Sequence, residues 1–72
     1  MSQEERKRWL IIIIKQHLKS ELKCAKKGNR HTVEYYQNRL FGILHYAECV
    51  KDIDAEMSKK IRNLSCLIKK KY

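Results

Sequence analysis

Seventy-two residues allow one domain, and a chain of this size buries only about 60% of the surface that its unfolded form exposes, so its core is small. Seventeen Lys and Arg against eight Asp and Glu give a formal charge of +9, which favours an anionic partner without saying whether that is nucleic acid, an acidic protein or a lipid surface. Three cysteines (Cys24, Cys49, Cys66) leave an odd one over, and no apolar run approaches the roughly 20 residues of a membrane span, so the expectation is a reduced, cytoplasmic protein without disulfides or an integral membrane segment.

The first segment opens on Ser2 with Glu5 three residues on, the spacing of a capping box. Arg6-Lys7-Arg8 is followed by Trp9-Leu10-Ile11-Ile12-Ile13-Ile14, six consecutive apolar residues that cover every side of a helix and so seek contacts on more than one face. This block is too short for the apolar region of a signal peptide and has no small-residue cleavage site after it. The combination of cations, tryptophan and isoleucines also admits a peripheral membrane helix, but capping at both ends favours a bundle element. Ile11, Ile14, Leu18, Leu22 and Ala25 recur at helical spacing and form the expected core stripe. Lys26 and Lys27 suit a helix C-terminus and Gly28-Asn29 a left-handed exit, which puts the first helix at about 2–27.

Thr32 is the expected cap of a second helix over 32–51. Val33, Tyr36, Leu40, Ile43, Ala47 and Val50 alternate three and four apart, the seam of a helix packed along a neighbour, and the short link makes that packing antiparallel. Asp52 or Asp54 then caps a third helix over 54–70 with the stripe Met57, Ile61, Leu64 and Ile68. With neither Gly nor Pro between Lys51 and Glu56, one continuous long helix is the competing arrangement. The fold class is therefore all-α: an antiparallel helical hairpin plus a third helix, a small three-helix bundle occupying residues 1–72 as a single domain.

Trp9, Ile12 and Ile13 lie off the first stripe, and Tyr35, Phe41 and Leu44 beside or opposite the second. A mid-helix glycine costs about 1 kcal/mol against alanine, so Gly42 is easiest to understand where another backbone comes close. Trp9, Ile12, Ile13, Tyr35, Phe41 and Gly42 are accordingly the expected interface of a homodimer, with coverage of the isoleucines by the third helix as the competing account.

The basic residues cluster. Lys15, Lys19, Lys23 and Lys26 fall on related turns of the first helix, Lys27 and Arg30 extend them into the link, and Lys59, Lys60, Arg62 and Lys69 to Lys71 form a second group. Acids collect at Glu48, Asp52, Asp54 and Glu56. Lysine acts as a point charge, so Lys15, Lys19, Lys23, Lys26, Lys27 and Arg30 imply phosphate contacts driven by counterion release rather than base reading. A solvated face serves solubility equally well. No metal site is expected, because His45 and Cys49, four apart, lack further ligands, and His17 with Cys24 fares no better. Cys49 beside His45 is also the one nucleophile and base pair, on an outer face without a pocket, so neither catalysis nor a cofactor is expected.

The resulting expectation is a non-enzymatic basic binding protein, nucleic-acid-associated or regulatory through its lysines. The alternative is an adaptor or inhibitor, of the small accessory type found on phages and mobile elements, that docks on an acidic protein through exposed apolar helix faces.

Overall fold

The computed structural model describes residues 2–72 and contains α1 (Gln3–Lys26), α2 (Arg30–Cys49) and α3 (Ala55–Lys71), with no strand among those residues. They form a three-helix bundle with principal extents of 39 × 21 × 13 Å. α2 runs antiparallel to α1, and α3 returns antiparallel to α2, as the pairings of Glu34 with Lys69 and of Glu48 with Arg62 show. No helix is long and apolar enough to cross a membrane.

Local chemistry sets each boundary. Ser2 Oγ accepts from the Glu5 N–H at 3.2 Å and starts α1. α1 ends in a Schellman turn in which Gly28 takes φ +77°, its N–H bonding Ala25 O while that of Asn29 bonds Cys24 O, both at 3.0 Å. α2 then begins two residues before the expected Thr32, because Asn29 Oδ1 accepts from the Thr32 N–H at 3.3 Å and takes the capping role. The break between α2 and α3 is real and uses the same turn without a glycine. Lys51 sits at φ +60°, and the N–H groups of Lys51 and Asp52 bond Glu48 O and Ala47 O at 3.2 and 2.9 Å. Asp54 Oδ1 caps α3 through the Met57 N–H. Ile53 packs against the core and Asp52 pairs with Arg6 at 3.1 Å, so tertiary contacts hold a backbone that Lys51 alone disfavours.

The core consists of Ile14, Ala25, Val33, Leu40, Leu44 and Ala47, with Leu10, Leu18, Phe41, Ile53 and Ile61 packed around its centre. Three expectations are corrected. In α1 the buried line runs through Ile14, Glu21 and Ala25, leaving Ile11 half in solvent. In α2, Leu44 is fully buried although it lay off the expected seam, while Tyr36, Ile43 and Val50 are only half-buried. α2 touches α1 with one flank and α3 with the other, so its buried face is broader than a single seam. In α3 the buried residues are Ser58 and Ser65, and Met57 and Leu64 stand half exposed. Ile61 and Ile68 of the expected stripe stay on the inner side, so the helix is turned by about half a residue, roughly 50° on a helix of 3.6 residues per turn.

Polar pairing explains that turn. Ser65 Oγ donates to the Glu21 carboxylate and accepts from Gln37 Nε2 at 3.2 Å, so one serine joins a fully buried acid of α1 to a buried amide of α2. A leucine in its place would leave the Glu21 carboxylate unpaired and Gln37 Nε2 with only the weak acceptor Cys66 Sγ at 3.8 Å, at a cost of about 1–3 kcal/mol for an unpaired buried polar group.

Candidate polyanion-binding pole

The topology brings the C-terminus of α1, the link 27–29, the N-terminus of α2 and the C-terminus of α3 to one end of the bundle. Lys23, Lys26, Lys27, Arg30, Lys69, Lys70 and Lys71 stand there, with Glu34 the only acid between residues 22 and 34 or 66 and 72. Glu34 is taken by Lys69 at 3.0 Å. This pairing holds its carboxyl below the ordinary value, the Lys69 hydrogen bond being the largest cause and the Lys69 charge the next. Arg30, Lys69 and Lys70 line a shallow polar cleft with Gln37 and Cys66. Its seven cations less Glu34 give the pole six of the nine net positive charges, and six of the eight acids (Glu4, Glu5, Glu48, Asp52, Asp54 and Glu56) belong to the opposite end.

Part of this has a structural cause. Lys23 and Lys26 in the last turn of α1, and Lys69, Lys70 and Lys71 in that of α3, complement the negative ends of the helix dipoles. α2 presents its positive end at the same pole with no acid in its first turn, unlike α1 with Glu4 and Glu5 and α3 with Glu56. The sum is a concentrated positive potential with little to neutralise it.

Of the residues expected at the site, Lys23, Lys26, Lys27 and Arg30 gather at the pole. Lys15 and Lys19 are exposed but lie along the flank of α1, with Lys15 about 16 Å from Lys26 at 1.5 Å per residue. Lys15 lines the groove between α1 and α3 instead. Lys69, Lys70 and Lys71 belong to the pole and were counted as a separate cluster in the sequence, because only the return of α3 places them beside Arg30.

The expected apolar interface does not form a single face. Trp9, Ile13 and Gly42 line one cleft between α1 and α2. Tyr35 is exposed further along α2, where its hydroxyl accepts from Arg39 at 3.2 Å. Ile12 points outward, and Phe41 packs against the core beneath the Arg62 guanidinium, 5.4 Å from its ring centre. His45 Nε2 and Cys49 Sγ lie 3.9 Å apart on the exposed side of α2, and the described residues hold no group of three or more metal-ligating side chains.

The chain matches no family model, no curated protein and no solved structure.

Proposed function

We propose that the chain binds a polyanion, nucleic acid before others, through the pole formed by Lys23, Lys26, Lys27, Arg30, Lys70 and Lys71, with Lys15 and Lys19 extending the contact along α1. The observation that carries this reading is convergence: cations from three separate stretches of sequence meet at one end while most acids lie at the other. Solvation alone needs no such segregation. Contacts of this kind are made to phosphates, and the lysine-rich composition predicts weak dependence on base sequence. The protein works here by binding, with no catalytic step.

Fluorescence anisotropy with random-sequence duplex and single-stranded DNA and RNA across a salt series tests this. The six cations of the pole predict a slope of log affinity against log salt of about −5 on duplex DNA, and Lys15 with Lys19 steepen it to about −7. Reversing two of them, as in Lys23→Glu with Lys26→Glu, should weaken binding on all sequences and flatten that slope by roughly 2. Absence of binding at low salt, or full affinity in the reversed variant, would sink the proposal.

A further inference from the structure

Apart from the pole, α1 and α2 enclose an apolar groove of about 570 Å³ with Trp9, Ile13 and Tyr46 on its walls and Gly42 between them. Trp9 is 55% and Tyr46 69% exposed, large aromatic surfaces that the chain leaves in water. Gly42 is the second anomaly. A Cβ built there meets nothing within 4 Å, so no intramolecular contact requires glycine at this place in the middle of α2. The chain accepts a loss of helix stability that its own packing does not explain. A glycine between two exposed aromatics keeps the groove deep enough for a second backbone to come close.

The rim fixes the charge of the occupant. Arg6 and Asp52 border the groove as a pair at 3.1 Å, so the net charge of the lining is positive and centred on Arg39. Arg39 bonds the Tyr35 hydroxyl and lies over its ring, without an acid. A second copy of the chain would bring another +9 and the same arginines to this rim, which opposes self-association. The described residues contain no strand edge to which an extended peptide could add. A furrow between two helices is shaped for a third, with apolar anchors at i, i+3 or i+4, and i+7. We infer that the Trp9–Gly42–Tyr46 groove docks an acidic amphipathic helix of a protein partner.

Trp9 is the only tryptophan of the chain and reports directly on coverage of the groove. The probe is a synthetic amphipathic helix of about 18 residues, five turns, with leucines on one face, glutamates elsewhere and no Trp or Tyr. A saturable blue shift of Trp9 emission at micromolar peptide is the expected result, with no shift from a scrambled peptide or from the lysine-for-glutamate version. Gly42→Leu fills the groove with a better helix former, so its melting temperature should hold or rise while peptide affinity falls about tenfold or more. Merely structural roles for Gly42 do not separate those two readouts. The inference is overturned if no saturable shift occurs, if the scrambled peptide acts equally, or if Gly42→Leu binds as the wild type does. It is also overturned in favour of a second copy if the shift follows protein concentration alone and sedimentation shows a dimer. Salt-dependent nucleic-acid binding reads the opposite pole, and its outcome leaves this one unaffected.

Discussion

Replacing Glu21 by methionine should stabilise this protein at neutral pH and remove part of its pH dependence. The Glu21 side chain is fully buried between three helices, where Oε1 accepts from Ser65 and Oε2 has no partner. Burial pushes its carboxyl above the ordinary value of 4.5, against the opposing effects of the Ser65 hydrogen bond and the His17 charge. The folded protein therefore holds this proton more tightly than the unfolded chain, and between 4.5 and the raised value the native state binds more protons. Stability accordingly falls as pH rises through that window, and the penalty of the buried charge grows as the carboxyl ionises.

Methionine has nearly the same length, carries no charge, and leaves the Gln37–Ser65 hydrogen bond intact. Its cost is the Ser65 donor, about 1 kcal/mol. Swapping buried charge for a well-packed apolar side chain is neutral to stabilising by about 1–4 kcal/mol, so with the Ser65 donor lost the net gain is at most about 3 kcal/mol. That is a large share of the ~4–11 kcal/mol typical of a chain this long. Each kcal/mol moves the melting temperature of so small a domain by about 4–8 °C. Thermal melts followed by circular dichroism at pH 4, 5, 6 and 7 provide the assay, with the gap between Glu21→Met and wild type widest at pH 7 and narrowing on acidification. A variant with native helix content that melts below the wild type at pH 7, or a gap independent of pH, would show that the buried Glu21 carboxyl does not destabilise the fold.

Other substitutions test other parts of the account. Lys51→Gly relieves the left-handed turn at φ +60° and should gain about 1 kcal/mol in urea unfolding, with a loss contradicting the Schellman assignment. Leu44→Ala empties a fully buried site at the centre of the core and should cost about 2–5 kcal/mol by the same measurement; a cost typical of a surface position would restore the original seam. Ser58 is buried with an unpartnered hydroxyl, so Ser58→Ala should be neutral or stabilising by up to about 1 kcal/mol, and clear destabilisation would reveal a missing partner. Glu34 has the opposite sign to Glu21: its depressed carboxyl contributes stability above the ordinary range that is lost as pH falls through the lowered value. Lys69→Met should return the Glu34 titration, followed by carboxyl NMR, towards 4.5, and an unmoved titration would remove Lys69 as its cause.

Much of the architecture was legible because it rests on local rules. Ser2 caps where its spacing predicts, Asp54 is the one of the two candidate aspartates that caps α3, Gly28 ends α1, and the short link makes α1 and α2 antiparallel. The cap at Asn29 was misplaced onto Thr32 because both residue types can accept from a free N–H, and only backbone geometry chooses between them. The position of the second break was open for a related reason. The left-handed position falls on Lys51 rather than on either aspartate, and the Arg6–Asp52 pair with Ile53 in the core holds the turn from outside. The candidate site divides similarly: Lys23, Lys26, Lys27 and Arg30 were visible as neighbours in sequence, whereas Lys69 to Lys71 join them through the path of α3.

Capping, periodicity and charge act over a few residues, so sequence alone makes the chain helical, starts α1 at Ser2 and leaves the surface basic. Which face of each helix is buried depends on contacts between helices. Periodicity placed Met57 and Leu64 inside, yet Ser65 turns inward to bond Glu21 and Gln37, since an unpaired carboxylate and amide in the core outweigh the gain from burying two half-exposed apolar side chains. That choice couples three helices at once, and no pattern within one segment contains it.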